Sequence, residues 1–157
     1  MKQIYGFFVN AWIECFQQLE FADNARILIL PAPNSMPEYA YQTDMLQHFA
    51  VQVTQELQKH SLFFGEHLDE TPGERVIVRK VPVPSSHTQA ERLTVEDHFS
   101  SMAYDWAFPD YLSRYTDIIL IDDILTQGTQ LSSMGGILRW LGFAGRILPI
   151  VLGRTVP

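Results

Sequence analysis

Hydrophobic positions recur along this chain with two periods, and the switching between them lays out the predicted elements. From Tyr5 to Leu19, the residues Phe8, Val9, Trp12, Ile13, Phe16 and Leu19 fall on one stripe at helical spacing. Arg26 to Leu30 is a short aliphatic run halted by Pro31 and Pro33, which predicts a strand. Between Thr43 and His60 the spacing of Met45, Leu46, Phe49, Ala50, Val53 and Leu57 predicts a second helix, with Thr43 as N-cap and Asp44 in the favourable first turn. Arg75 to Arg79, bounded by Thr71-Pro72-Gly73, reads as a second strand. Ile118 to Ile121 is a third. It shows no alternation, which predicts burial on both faces, as in a parallel sheet covered by helices. Leu131, Met134, Ile137, Leu138 and Leu141 then form one helical face, and Gly142 is placed to end that helix in a left-handed cap. Arg146 to Leu152 is a fourth strand.

Strand-helix-strand, a polar excursion, and again strand-helix-strand is the order of an α/β fold. The expected architecture is doubly wound, with a mainly parallel sheet and helices on both faces. The excursion, Ser85 to Pro109, is weakly patterned, with a short helix near Thr88 to Phe99. No internal repeat, low-complexity tract or linker interrupts residues 1–157, so a single domain is expected.

Composition narrows the chemistry. A hydrophobic fraction of 46% and a charged fraction of 18% suit a folded chain. The net charge of -7, from 11 Lys+Arg against 18 Asp+Glu, argues against a nucleic-acid polymer as partner, because that surface needs clustered cations. A single cysteine, Cys15, excludes an internal disulfide or a cysteine-cluster zinc site, and its apolar surroundings predict a buried, inert thiol. The amino-terminal apolar stretch is broken by Asn10 and Glu14 and lacks a small-residue cleavage site, and no run reaches a membrane-spanning length. A cytoplasmic protein without a membrane partner is expected.

The stretch DIILIDDILTQGTQ, Asp117 to Gln130, carries the most chemistry. In an open α/β sheet, ligands gather beyond the carboxyl ends of the strands, and Asp122 and Asp123 fall at such an end. Alternation sends the two side chains in different directions. Carboxylates there can accept hydrogen bonds from sugar hydroxyls or hold a hydrated Mg²⁺ through water. The residues that follow, Thr126 to Gln130, lead into a helix. Amides at a helix N-terminus attract a phosphate, and Gly128 allows close approach of the backbone. Acids for the sugar beside amides for its phosphate suit a ribose 5-phosphate. The alternative is that the acids and Thr-x-Gly form only a cap and turn. A receiver domain also pairs acids at a strand end, but it needs a later Asp and Lys, and the 34 residues after Asp123 contain neither.

The same stretch resembles the phosphoribosyl pyrophosphate-binding motif of type I phosphoribosyltransferases, which runs hydrophobics, Asp-Asp, two hydrophobics, Thr-Thr-Gly-x-Thr. Leu30-Pro31-Ala32-Pro33 followed by Tyr41-Gln42-Thr43-Asp44-Met45-Leu46 resembles the first turn and helix start of the ComF-like (competence protein F) branch. Thr88-Gln89 with Leu93, and Val151 to Thr155, resemble it more loosely. The resemblance spans Phe16 to Thr155 and omits the cysteine-rich zinc segment often found in that branch.

The resemblance implies transfer of a phosphoribosyl group to or from an unidentified nitrogenous base, with pyrophosphate as co-product and Mg²⁺ as cofactor. Asp122 and Asp123 would contact the ribose hydroxyls and reach the metal through water. Thr126, Gln127, Gly128, Thr129 and Gln130 would hold the 5-phosphate. Ala32, Pro33, Asn34 and Ser35 would take the pyrophosphate, with Lys80 and Arg92 as its candidate cations. Residues 85–110 would form a lid. Three departures stand out. Gln127 and Gln130 replace threonines, Glu38 lies where a basic residue is usual, and the lid offers only Arg92 among Lys and Arg. These departures motivate a second reading, a non-catalytic phosphoribosyl- or nucleotide-binding regulatory module, and a third, a structural domain. His87 and His98 are expected to be exposed loop residues. Trp106, Phe108 and Tyr111 form either a base-stacking hood or a hydrophobic cluster. The Tyr5 to Leu19 stripe serves either the core or a homodimer interface.

Overall fold

The computed structural model describes residues 10–16, 18–36, 45–59, 76–84, 93–104, 108–125 and 128–154. The elements are helix α1 (residues 10–16), β1 (Ile27–Pro31), α2 (Met45–Lys59), β2 (Ile77–Arg79), α3 (Val95–Ser101), β3 (Met102–Tyr104), α4 (Phe108–Leu112), β4 (Asp117–Leu125), α5 (Thr129–Trp140) and β5 (Arg146–Arg154). The fold is α/β, built on a three-stranded parallel sheet in the order β1-β4-β5.

The central strand organises the packing. Along β4, Ile118 and Leu120 join Leu28 and Leu30 of β1 against Leu131, Met134, Ile137 and Leu138 of α5. Ile119 and Ile121 join Ile27 and Ile29 against Trp12, Phe16, Phe49, Ala50, Val53 and Leu57 of α1 and α2. Side chains of alternate parity therefore fill two cores on opposite faces of one sheet. At about 1.5–3 kcal/mol for each large aliphatic side chain fully buried, the four isoleucines and leucines of β4 anchor both layers. Within α1, Trp12 and Phe16 are buried and Trp12 packs edge-on against Phe49 at 5.4 Å, so this face serves the protein's own core. Cys15 lies on the other side of α1 and is exposed, contrary to the buried thiol expected from its apolar neighbours.

Two expectations about the sheet are corrected. The second strand does not join the parallel sheet. β2 pairs antiparallel with β3 in a separate two-stranded ribbon, with Ile77 opposite Tyr104 and Arg79 opposite Met102. The cause is the polar excursion. Thr94 and Asp97 form a reciprocal capping box that starts α3, and the chain passes at Met102 straight from that helix into extended β3, which runs back along β2. Second, β4 does not stop at Ile121. It continues to Leu125, paired to β5 through Asp122↔Val151, Ile124↔Gly153 and Leu125↔Arg154, whereas its pairing with β1 ends at Ile121↔Pro31.

Helix α5 ends as expected, at Gly142 with φ 93°. The Gly142 amide donates to the Arg139 carbonyl and the Phe143 amide to the Leu138 carbonyl, a Schellman closure that also brings Phe143 into the Leu138 core. At the opposite end of the sheet from the acids, Arg146 pairs with Asp117 at 2.6 Å and stacks over Phe21. Beside it, β5 passes so near β4 that a Cβ on Gly145 would overlap the Thr116 carbonyl and the Phe143 ring. No helix of the described residues is long and apolar enough to cross a membrane.

Gly145→Ala therefore destabilises the fold by about 1–3 kcal/mol through backbone overpacking. Gly136→Ala, in the interior of α5 with nothing within 4 Å of the added carbon, stabilises by about 0.5–1 kcal/mol. Urea unfolding of the two variants distinguishes these opposite signs.

Candidate functional site

The acidic pair lies on the part of β4 that overhangs β1. The last bond across that edge is the Ala32 amide to the Ile121 carbonyl, at 2.8 Å, and beyond it Pro33 and Asn34 leave the sheet. Asp122 continues the parity of Ile118 and Leu120 and so lies on the α5 side. Asp123 continues that of Ile119 and Ile121 and is exposed. The Asp123 amide donates to Asp122 Oδ1 at 2.9 Å. Burial, followed by the neighbouring Asp123 charge, raises the Asp122 carboxyl from 3.8 to about 7.

The Asp122 carboxyl also feels the charge of a buried cation that was expected only as the last residue of a strand. Arg79, at the end of β2, is 2% exposed. Its Nε donates to the Asn34 carbonyl at 3.0 Å, its Nη1 to Ser101 Oγ, and its Nη2 to Gln130 Oε1 at 2.9 Å. Burial lowers the guanidinium to about 10, a shift that the Asp122 charge opposes, so Arg79 is cationic at neutral pH. Parity with buried Ile77 was the sequence signal that would have placed it inside.

Gln130 completes the connection. While Oε1 accepts from Arg79, its Nε2 donates to the Pro33 carbonyl at 3.0 Å. The turn after β1 is therefore pinned at three successive carbonyls: Pro33 by Gln130, Asn34 by Arg79, and Ser35 by the Val83 amide at 2.7 Å. No described peptide bond is cis, and a trans peptide sets each N–H opposite the preceding carbonyl. The amides of Asn34, Ser35 and Met36 thus each point away from the carbonyl bound in their own peptide. At the start of α5, Gly128 adopts φ 75° as the N-cap and has no side chain to cap the helix. The first amides of α5 lack helical partners by construction.

Not every expected residue belongs to this group. Ala32 and Pro33 are buried and Asn34 and Ser35 partly so. Lys80 follows Arg79 but is exposed. Thr126, Gln127, Glu38, Arg92, His87 and Trp106 lie outside the described residues, as does the Phe108 side chain. Tyr111 packs against the α5-side core and stacks with Tyr115 at 5.3 Å, which fits the cluster reading. His98 is not an exposed loop residue. It is 8% exposed on α3, and its Nδ1 has no hydrogen-bond partner among the described residues. Burial and the nearby Arg79 charge lower its pKa from the ordinary histidine value.

Asp122 and Asp123 supply hard oxygen donors. Among the described residues, no group of three or more His, Cys, Asp and Glu could hold a metal ion. The donor set suits a hydrated Mg²⁺ shared with ligand oxygens and not a cage made by protein alone. No protein-family model matches this chain, and no curated protein matches it.

The Asp122 shift gives a signed pH dependence. Above pH 7 the carboxyl is ionised in both folded and unfolded chains, and the full cost of burying its charge is present. As pH falls from about 7 towards 3.8, the folded protein takes up a proton that the unfolded chain does not, so this group's contribution becomes more favourable. His98 works in the opposite direction, so the comparison must be between variants. Asp122→Asn should be more stable than the parent by about 1–2 kcal/mol at pH 8 and lose the advantage near pH 4. Urea midpoints across that range measure it.

Proposed function

We propose that this protein binds phosphoribosyl pyrophosphate and Mg²⁺ and transfers the phosphoribosyl group to or from a nitrogenous base, as a divergent phosphoribosyltransferase-like domain of doubly wound ancestry. The observation that carries the reading is the acidic pair on the overhang of the middle parallel strand, with the uncapped start of α5 following within a few residues. Asp122 and Asp123 accept from the ribose hydroxyls, and the amides at Gly128 and Thr129 take the 5-phosphate. Thr126 and Gln127 belong to the same loop on the sequence motif. The amides of Asn34, Ser35 and Met36 supply donors for pyrophosphate, with exposed Lys80 and, on the sequence resemblance alone, Arg92 as candidate cations. Mg²⁺, held through water by the two acids, would neutralise ligand charge. The protein's own contribution is positioning and electrostatic support of the departing pyrophosphate.

One observation favours a regulatory, non-catalytic version of the same site. Arg79 is a buried cation whose Nε, Nη1 and Nη2 all donate to the protein itself. Less cationic support is then left for a leaving group than for a resident ligand.

Titration calorimetry separates these readings. Heat of binding for phosphoribosyl pyrophosphate with Mg²⁺ is expected, weakened at least tenfold in Asp123→Asn. Pyrophosphate release with purine, pyrimidine or orotate acceptors identifies the enzyme, and binding without release identifies the regulatory module. No binding to wild type, with Asp123→Asn indistinguishable from it, would sink both.

A further inference from the structure

Gln130 stands where the motif that this chain resembles has a threonine, and its amide is held at both ends. Its Oε1 accepts a hydrogen bond from Arg79, and its Nε2 donates one to the Pro33 carbonyl. Arg79 in turn holds the Asn34 carbonyl and Ser101, whose hydroxyl donates to the His98 carbonyl at 2.8 Å. Four segments meet at this pair: the turn after β1, the end of β2, the end of α3 and the first turn of α5. Threonine could not span the same gap, because its hydroxyl is a single atom two bonds from Cα. A second bridge supports the α5 end, where buried Ser133 donates to the Val95 carbonyl of α3 at 2.7 Å.

We propose that Arg79 and Gln130 are a positioning pair that fixes the distance between the Pro33–Asn34 turn and the start of α5. Resting on the reading above, these are the two places that would take the two phosphoryl ends of one sugar ligand. A ligand bearing both ends gains from that fixed spacing, since its second end binds at high effective concentration. A fragment with one end gains nothing from it. The pair therefore sets selectivity for the doubly phosphorylated sugar over either fragment. Neither residue need touch the ligand. The glutamine that looks like a defect in the phosphate loop is a structural partner of the buried arginine.

The test compares three probes by calorimetry in Mg²⁺ buffer: phosphoribosyl pyrophosphate, ribose 5-phosphate and inorganic pyrophosphate. Gln130→Thr should lose about tenfold in affinity for the first and less than about twofold for each fragment. Arg79→Lys should show the same selective loss, and the double variant no more than the larger single loss, because both act through one connection. Should Gln130→Thr fail to fold, Gln130→Glu keeps the acceptor for Arg79 and removes the donor to Pro33, with the same selective loss expected. Equal losses for all three probes, unchanged affinity for the double-ended ligand, or additive losses in the double variant would overturn the proposal while leaving the binding site intact. Failure of wild type to bind any probe overturns the functional reading itself, and with it the role assigned to the pair.

Discussion

The fold depends on one constraint: β4 is paired on both edges and buried on both faces along Ile118–Ile121. Such a strand has to be aliphatic at every position, and its branched side chains must divide between two cores. Once they do, α5 is committed to one face and α1 with α2 to the other. The strand can turn polar only where a neighbour ends. That happens past Ile121, where β1 leaves and β5 continues, and there the two aspartates stand. Their position follows from the mismatch in strand length, and their opposite orientations follow from the pleat.

A second constraint governs the polar side of the site. Burying a guanidinium is costly unless its donors are satisfied, and a buried charge left unpaired costs several kcal/mol, on the order of 3–5. Arg79 meets that cost with three acceptors drawn from three different segments. The consequence reaches beyond stability. The acceptors sit on the turn after β1, on α3 and on α5, so satisfying one side chain also sets the relative placement of loops that the parallel sheet alone leaves loose. Asp122, with its own charge disfavoured by burial, lies within the field of the same cation. The two groups each reduce the cost of charge on the other.

Much of this was legible in the chain. The unbroken Ile/Leu of β4, the Leu131-to-Leu138 face of α5 and the closing Gly142 all follow from rules local to a few residues, and all three hold. What local rules missed was non-local. β3 is three residues long and is a strand only because β2 lies beside it. Its entry helix was expected near Thr88 to Phe99, and the capping box Thr94-Val95-Glu96-Asp97 is the signature that starts it. Arg79 stood only as the last residue of a strand, although its parity with Ile77 pointed inward. Gln130 looked like a loss because a motif was compared position by position. Its partner lies 51 residues away in sequence. Cys15 failed for the converse reason. Apolar neighbours at i−3 and i+1 do not decide which side of a helix a residue occupies.

On the function proposed above, the overhang of β4 and the start of α5 together hold a phosphorylated sugar. The most direct measurement is a crystal structure of the protein soaked with ribose 5-phosphate and Mg²⁺. Sugar hydroxyls are expected within hydrogen-bonding distance of the Asp122 and Asp123 carboxylates, and phosphate oxygens against the amides of Gly128 and Thr129. Ligand density elsewhere on the protein, or none beside Asp122, Asp123 and the start of α5 at saturating ligand, would contradict this.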